Sequence, residues 1–322
     1  RNKKRFGITE FINHRAGDPQ DIILTKTING LSDYLNENIH DLVIVHGDRV
    51  EAIAACLVCA FNYIPCAHIE GGEVSGTIDE SLRHCNSKLA NYHFTSSTEA
   101  SERVIRLGEN PKAVYCIGSP ELDIHKSQLP ITLDDVRSRY GIDFSEYGII
   151  IFHPVTSEQS TIEEQFLALA KGVIKSDKNF VVILPNNDPG CENILKNMHL
   201  LKSSNFKVLP SMRFHYFSIL LRNSSLVIGN SSLGVREAPF LGIPSINVRS
   251  RQTNRSSSKS ISNINLLESN SIQILSDSIK ANWGNGHNPD SSFGSGNAAE
   301  SFLKIIESDE FWDLKFQKYF ID

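Results

Sequence analysis

The chain has 322 residues, which is enough for two domains that each bury a hydrophobic core. Its net charge of -5 gives no electrostatic reason to expect nucleic acid or an anionic membrane as a partner. With 40% hydrophobic residues and no apolar run of about 20 residues, the composition predicts a soluble, cytoplasmic protein.

The amino terminus carries a basic cluster, Arg1 to Arg5, with no apolar core after it, so a signal peptide is not predicted. A Rossmann-like domain normally begins with a strand and a glycine-rich turn, and no such strand precedes Asp41. We therefore expect the sequence to be a fragment of a longer chain that lacks the first strand of its first domain.

The first part of the chain alternates between short apolar runs and helical patterns. Strands are predicted over residues 41–45, 64–69, 92–95 and 113–117, and helices over residues 50–61, 79–90 and 98–107. Strands this apolar are typical of a parallel sheet that helices cover on both faces.

A second alternating series follows residues 130–147, which are more polar and predict the crossing between two domains. Its strands are predicted over 148–152, 180–184, 206–209, 225–228 and 245–248, and its helices over 162–174, 192–200, 214–221 and 233–241. Serine-, asparagine- and glycine-rich composition predicts loops over 251–263 and 282–297, and helical periodicity marks the last stretch, 298–320.

The two series predict an α/β protein with two Rossmann-like domains, parallel sheets and a central cleft. We expect residues 1–129 to form the first domain, residues 130–300 the second, and residues 301–322 a helix that packs back on the first. Ligands of such sheets bind beyond the carboxyl ends of the strands, so polar residues at those ends are the candidate site.

The cysteines do not predict a metal site. Cys56 and Cys59 have the spacing of a redox or zinc pair, but they lie within the apolar run 52–61, which predicts a packed helix. No second cysteine pair or histidine pair accompanies them, so we interpret them as buried, reduced thiols.

A small-residue turn, Gly229-Asn230-Ser231-Ser232, follows the predicted strand 225–228 and precedes the predicted helix 233–241. The first N–H groups of a helix are unpaired and the helix dipole favours an anion there, so this arrangement is typical of a phosphate site. Glu237 can take the two hydroxyls of a ribose. The alternative, that a serine caps an ordinary helix, is about as well supported by this segment alone.

Further polar motifs follow predicted strands. Asp48 comes after the strand 41–45, Glu70 after 64–69 and His153 after 148–152, while Asp79 follows a glycine-containing loop into a helix. Because strand ends converge on one edge of a sheet, their joint placement favours a shared site.

Each of these residues also has a structural interpretation. Asp48 and Glu51 fit a helix capping box, Glu70 can be a turn residue, Asp79 can cap its helix, and His153 can bond a neighbouring carbonyl. None of these alternatives is excluded by the residue types alone.

The residues suit proton transfer at carbon, which needs a base on one face and an acid on the other. Closely spaced carboxylates push each other's pKa apart, giving one base and one acid near neutral pH. A departing diphosphate needs positive charge and N–H donors, which Arg49, Arg251 and the Ser231–Ser232 turn can supply. These motifs require no metal and no cofactor.

The sequence resembles the hydrolysing UDP-N-acetylglucosamine 2-epimerases of sialic acid biosynthesis, both the bacterial type and the epimerase half of the animal bifunctional enzyme. The loop HIEGGEVSGTID separates this branch from the non-hydrolysing epimerases. The matching segments, in the expected order, are HGDRVEA at His46, HIEGGEVSGTIDESLRH at His68, GSPELD at Gly118, HPVTSE at His153, PNNDPG at Pro185 and GNSSLGVREAPFLGIPSINVRSRQ at Gly229.

The resemblance implies the glycosyltransferase-B arrangement, with UDP bound mainly by the second domain, and a homodimer or a dimer of dimers. It also implies a reaction in which a base removes the C2 proton as UDP leaves C1. Water then adds to the resulting 2-acetamidoglucal, which gives N-acetylmannosamine. The family's amino-terminal strand and its nucleotide-contacting loop have no counterpart in this sequence.

Carried over by position, the family's catalytic residues are Asp48, Glu70, Asp79 and His153. We expect Asp48 and Glu70 to transfer protons, Asp79 to position water or sugar, and His153 to contact the diphosphate. The positions that match contacts to the UDP-sugar, with Phe214 against the uracil, are Arg49, Asn186, Phe214, Ser231, Ser232, Glu237 and Arg251.

Three alternatives remain at this point. Relatives in legionaminic acid pathways act by the same chemistry on UDP-2,4-diacetamido-2,4,6-trideoxyglucose. A UDP-sugar glycosyltransferase of the same fold would transfer the sugar without changing C2. A nucleotide-sugar binding protein would retain UDP without turnover.

Overall fold

The computed structural model describes residues 15, 18–186, 188, 190–248, 250–252, 254–313 and 316–321. Packing divides the chain into two compact units. Unit 1 comprises Arg1–Glu73, Ile78–Cys116 and Lys304–Asp322, and unit 2 comprises Val74–Thr77 and Ile117–Leu303. The basic cluster noted in the sequence lies outside the described residues.

The helices and strands alternate along most of the chain. The helices are α1 (Gln20–Glu37), α2 (Val50–Phe61), α3 (Ile78–Leu89), α4 (Thr98–Arg106), α5 (Glu121–Lys126), α6 (Leu133–Tyr140), α7 (Ile162–Ser176), α8 (Cys191–Leu195), α9 (Phe214–Arg222), α10 (Glu237–Phe240), α11 (Ser271–Asn282), α12 (Ala298–Ile306) and α13 (Asp309–Trp312). The strands are β1 (Val43–His46), β2 (Cys66–Ile69), β3 (Tyr92–Thr95), β4 (Val114–Cys116), β5 (Gly148–Ile151), β6 (Phe180–Ile183), β7 (Phe206–Leu209), β8 (Leu226–Gly229), β9 (Ser245–Val248) and β10 (Ile261–Ile264).

Unit 2 contains a parallel sheet of six strands in the order β10-β9-β8-β5-β6-β7. Read from the other edge, this is the doubly wound Rossmann order, which reverses between β5 and β8. The carboxyl ends of β5 and β8 are therefore the place where such a sheet binds its ligands. We call this place the switch point.

Hydrophobic residues cover both faces of this sheet, as a parallel sheet requires. Ile150 and Ile228 point to a core that also includes α7 and α11, whereas Ile149 and Val227 point to a core that includes α9. The side chains alternate because successive residues of a strand face opposite sides. The sheet that carries the switch point is thus fixed from both faces.

Unit 1 contains a parallel sheet of four strands in chain order, β1-β2-β3-β4. α1 and α2 contribute to a core against it that includes Cys56 and Cys59, which are free thiols buried in α2. On the opposite face of this sheet, Phe311 of α13 is fully buried and stacks on Tyr92, with their ring centroids 4.1 Å apart. None of the helices in the described part of the chain combines the length and apolar character that a membrane crossing needs.

Several predicted elements differ in the structure. The predicted helix over 233–241 is divided into a 3-10 turn, Ser232–Gly234, and the short α10. An unbroken helix would place Pro239 in its interior, where proline lacks the needed N–H, whereas a helix that restarts at Glu237 has Pro239 in its first turn. The predicted loop over 251–263 ends in β10, which adds an edge strand to the sheet. The predicted helix over 192–200 is the short α8 and a 3-10 turn, Met198–Leu201.

The helices α1 and α11 were not predicted, and the crossing between the units differs from the expected 130–147. Residues Ile117–Leu303 pack within unit 2, where α5 contacts α9 and α10. Within 130–147, α6 has a capping box at Thr132 and buries Val136 in the core of unit 2. The expected cleft between the domains stays a prediction.

A buried acidic residue, Glu109, anchors the carboxyl-terminal segment within unit 1. Its carboxylate lies 2.6 Å from Lys88 Nζ, 2.5 Å from Lys318 Nζ and 3.1 Å from His93 Nε2. Burial raises the pKa of Glu109, but the hydrogen bonds from His93, Lys318 and Lys88 outweigh it and lower the pKa to about 2. A carboxyl whose pKa is lower in the folded chain than its ordinary value of 4.5 stabilises the fold. The contribution of Glu109 to the free energy of unfolding is therefore present above pH 4.5 and is lost as the pH falls toward 2.

Replacing Lys318 with methionine should lower the free energy of unfolding by about 2 kcal/mol, because the buried Glu109 loses a charge partner. The ammonium also donates to the carbonyls of Ser87, Lys88 and Ala90, which the variant leaves unpaired. Urea denaturation measures the change. The exposed Lys112→Met should stay within about 0.5 kcal/mol of wild type, and an equal effect in the two variants would contradict the role of the cluster.

Candidate functional site

A close backbone approach builds the switch point of unit 2. Gly229, the last residue of β8, has φ +149, and a Cβ at this position would lie 1.8 Å from the Ile151 carbonyl oxygen. Only glycine has room here, and its freedom at positive φ permits the conformation. The turn that follows β8 is therefore held against the end of β5.

Asn230 bonds this turn to the segment after β5. Its Oδ1 accepts from the His153 backbone N–H at 2.7 Å, and its Nδ2 donates to the His153 carbonyl at 2.8 Å. The Gln252 side chain donates to the Asn230 carbonyl at 3.0 Å. Asn230 is fully buried, so these bonds satisfy its amide and fix the backbone of His153 beside the turn.

The imidazole of His153 is held in one form. Its Nδ1 accepts the backbone N–H of Asn186 at 3.2 Å, which leaves Nε2 as the N–H donor. Burial lowers the pKa of His153, and the positive charge of Arg251 lowers it further, to about 3. At neutral pH the ring is therefore an uncharged hydrogen-bond donor at the switch point.

Ser231 and Ser232 follow β8 directly, as predicted. The prediction that they open a long helix is wrong. Ser231 is the N-cap of the 3-10 turn, and its Oγ lies 3.4 Å from the Leu233 N–H. Because the turn is short and α10 starts only at Glu237, no long helix dipole points at an anion here. Any phosphate would instead bind the loop N–H groups and the hydroxyls of Ser231 and Ser232.

Two more predicted residues lie at the adjoining strand ends. Asn186 follows β6, and its Nδ2 donates to Asp188 at 2.5 Å, while its buried Oδ1 has no hydrogen-bond partner among the described residues. Arg251 follows β9, and its carbonyl accepts the N–H of Gly76 at 3.3 Å within unit 2. An unpaired buried acceptor beside His153 is where a ligand donor would be accommodated.

The residues predicted for the nucleoside lie together in unit 2. Glu237, at the start of α10, is 8% exposed, and its Oε1 lies 3.1 Å from His125 Nε2. Phe214, at the start of α9, is 42% exposed, and its ring meets that of His125 edge-on with centroids 5.8 Å apart. A buried carboxylate beside a half-exposed aromatic ring suits a ribose and a base.

Unit 1 holds the predicted carboxylates. Asp48 forms an ion pair with Arg83, which is 2% exposed and also donates to the Glu73 carbonyl at 3.0 Å. The Glu73 carboxylate accepts from the Ser96 hydroxyl. The capping interpretation of Asp48 is wrong, because the N-cap of α2 is Arg49 and no side chain caps that helix.

The backbone around Asp48 and Glu70 is constrained. Glu70 has φ +68, an unusual conformation for a residue with a side chain, and is 7% exposed. Its Oε2 lies 3.6 Å from His46 Nε2. Next to Asp48, the Gly47 carbonyl accepts from His68 Nε2 at 2.9 Å. These loops follow β1 and β2, which are neighbours in the sheet.

The remaining predicted residues of unit 1 lie beside this group. Asp79 is in the first turn of α3, one turn before Arg83, so the two share a helix face. Arg49 is exposed, and its Nε lies 3.4 Å from Glu51 Oε2. Unit 1 thus holds Asp48, Arg49, Glu70 and Asp79, and unit 2 holds the other predicted residues, His153, Asn186, Phe214, Ser231, Ser232, Glu237 and Arg251.

Several buried polar residues of these groups were missed in the sequence. Among them are Arg83, His125, Asn230 and Gln252. A signal existed for Arg83, which lies four residues after Asp79, and for Asn230, which lies within the glycine-serine turn. His125 and Gln252 contact residues far away in the sequence, and no local pattern predicts such partners.

A profile of UDP-N-acetylglucosamine 2-epimerases matches residues 5–307. The chain belongs to the UDP-N-acetylglucosamine 2-epimerase family. It is similar to the UDP-N-acetylglucosamine 2-epimerase of Neisseria meningitidis serogroup B, at 39% identity over 97% of this chain and 83% of the relative. The UDP-N-acetylglucosamine 2-epimerase family predicted from the sequence is therefore confirmed, and the chain is an enzyme of that family.

Two further similarities bear on this chain. The UDP-N,N'-diacetylbacillosamine 2-epimerase (hydrolyzing) of Legionella pneumophila is 30% identical over 81% of this chain and 71% of its own length. A crystal structure of UDP-GlcNAc 2-epimerase from Neisseria meningitidis bound to UDP-GlcNAc has a TM-score of 0.77 and 20% identity, covering 91% of this chain and 83% of that one. The structural likeness confirms the α/β fold with parallel sheets in two domains.

The neutral state of His153 predicts a specific NMR result. Because burial and Arg251 depress its pKa to about 3, the ring should stay neutral, with its proton on Nε2, from about pH 5 to about pH 8. Side-chain ¹H–¹⁵N spectra across this range measure which ring nitrogen of His153 carries the proton. A His153 signal that titrates near the ordinary value of 6.5 would contradict the assignment.

Proposed function

We propose that the chain is a hydrolysing UDP-N-acetylglucosamine 2-epimerase of sialic acid biosynthesis. It converts UDP-N-acetylglucosamine and water to N-acetylmannosamine and UDP through 2-acetamidoglucal. The observation that carries the proposal is the switch point of unit 2, where Asn230 fixes a neutral His153 beside the serine turn. Family membership supports a UDP-sugar as the substrate and epimerisation at C2 as the reaction.

Two observations favour the hydrolysing reaction. The loop His68 to Asp79, HIEGGEVSGTID, has the form that the resemblance associates with this branch. The relative from Legionella pneumophila, at 30% identity, is itself named as hydrolyzing. Family membership also favours a 2-epimerase over the glycosyltransferase and binding-protein alternatives.

The proposal assigns the leaving group to unit 2. The diphosphate would accept from His153 Nε2, from the hydroxyls of Ser231 and Ser232, and from the positive charge of Arg251. Because His153 is held neutral, it assists departure by donating a hydrogen bond. Asn186 offers an unpaired acceptor to a sugar hydroxyl, and Glu237 and Phe214 contact the ribose and uracil.

Proton transfer is assigned to unit 1. Asp48 and Glu70 follow adjacent parallel strands, and loops held by buried groups carry both carboxylates. In the proposed reaction one removes the C2 proton and the other delivers a proton at C2 as water adds at C1. Asp79 positions water or sugar, and Arg83 fixes Asp48 without itself touching substrate.

A second substrate is favoured by one observation. The Legionella relative is named for UDP-N,N'-diacetylbacillosamine, which differs from UDP-N-acetylglucosamine at C4 and C6 of the sugar. The chemistry at C1 and C2 is the same for the two sugars. We rank it second because the Neisseria relative, named for UDP-N-acetylglucosamine, is more similar, at 39% identity.

A homodimer or dimer of dimers in the cytoplasm completes the proposal. Both features come from the resemblance and from the composition, and they stay predictions. Light scattering coupled to size-exclusion chromatography of the purified chain measures the first.

Product analysis tests the reaction. Incubation with UDP-N-acetylglucosamine should release free N-acetylmannosamine and UDP in equal amounts, as observed by ¹H and ³¹P NMR. Accumulation of UDP-N-acetylmannosamine without free sugar would identify a non-hydrolysing enzyme. Turnover of only the diacetamido sugar in a parallel reaction would assign the second substrate instead.

Replacing Asp48 with asparagine should lower kcat by about a hundredfold or more, because the amide can neither accept nor return the proton. UDP affinity should change by less than about twofold, since the proposal assigns UDP to unit 2. The exposed Asp143→Asn is the matched control. Wild-type turnover in the Asp48 variant would remove this residue from the mechanism.

A further inference from the structure

Within unit 2, a buried histidine that no proposed step uses lies between the two residues assigned to the nucleoside. His125 of α5 is 4% exposed. Its Nε2 lies 3.1 Å from Glu237 Oε1, and its ring contacts Phe214 edge-on, at an interplanar angle of 73°. One side chain therefore contacts both the carboxylate and the aromatic ring.

The hydrogen-bond chain through His125 has one consistent direction. A carboxylate only accepts, so Nε2 donates to Glu237, and Nδ1 then accepts the hydroxyl proton of Ser218 at 2.9 Å. Ser218 is fully buried in α9. The imidazole is thereby fixed in one tautomer and one orientation by groups on two other helices.

A fixed imidazole gives Glu237 a fixed orientation. With Oε1 held by His125, Oε2 is the oxygen for ligand hydroxyls, and the rotation of the carboxylate is restricted before the ligand arrives. A nucleoside contact of this kind gains affinity because less freedom is lost on binding. The neighbouring 2'- and 3'-hydroxyls of a ribose suit such an acceptor.

We propose that His125, held by Ser218, is a positioning residue that orients Glu237 toward the ribose hydroxyls of the UDP-sugar. This inference rests on the proposed function, because that proposal places the nucleoside at Glu237. Nothing in the local sequence around His125 marks it for this role; the role follows from its contacts with α9 and α10.

Calorimetric titration of the full chain with UDP and with 2',3'-dideoxyuridine diphosphate tests the proposal. Wild type should prefer UDP, because only UDP has the two hydroxyls. His125→Phe keeps the ring contact with Phe214 but removes the donor, so UDP affinity should fall about tenfold. Affinity for the dideoxy ligand should change by less than about twofold, and the preference should be nearly lost.

Rescue and control variants separate positioning from folding. His125→Gln retains an N–H donor and should recover a UDP affinity within about threefold of wild type. The buried His93 pairs with Glu109 in unit 1, so His93→Gln is a matched control. It should lower the Tm without changing the preference between the two ligands.

The outcomes are distinct. A wild-type preference in a folded His125→Phe variant overturns the proposal. If that variant does not fold, Ser218→Ala tests the proposal instead. A preference for UDP over the dideoxy ligand that is reduced by about threefold supports the proposal, and a wild-type preference overturns it. A wild-type preference in Glu237→Gln removes the ribose from Glu237 and overturns the inference as well. Failure of the proposed reaction is observed in the product analysis instead, as absence of free sugar product from a chain that still prefers UDP over the dideoxy ligand.

Discussion

The buried amide of Asn230 joins the segments that follow β5 and β8, the two strands between which the sheet of unit 2 reverses its order. It bonds both the N–H and the carbonyl of His153, and Gly229 brings the two strand ends close enough for these bonds to form. The Nδ1 of His153 then accepts a hydrogen bond from the Asn186 N–H, so Nε2 is the donor of a neutral ring. The site geometry of unit 2 depends on this contact.

Unit 1 reaches a constrained site by a different route. There the carboxylate of Asp48 is paired with Arg83, a nearly fully buried cation that also bonds the backbone at Glu73. A buried charge is tolerated only when it is paired and hydrogen-bonded, so this network restricts Asp48 to one position. The helix α3 that supplies Arg83 also carries Asp79 in its first turn, so one element connects the predicted residues Asp48 and Asp79.

The sequence predicted those parts of the fold that local pattern controls. The bounds of α2, β3, β7 and β9 agree with prediction, because apolar runs and flanking turn residues define them. The helix predicted after the serine turn was wrong, since Pro239 and the tight turn at Gly229 outweighed helical periodicity. Partners such as His125 and Glu237 are 112 residues apart, and only tertiary packing brings them together. The family resemblance found the candidate positions, but not the groups that hold them.

In the proposed function, the switch point of unit 2 binds the diphosphate of UDP. The most direct measurement is a crystal structure of the full chain with UDP bound. We expect the diphosphate within hydrogen-bond distance of His153 Nε2 and the Ser231–Ser232 turn, with the ribose hydroxyls on Glu237. A UDP bound elsewhere, with the turn after Gly229 free of ligand, would contradict the account.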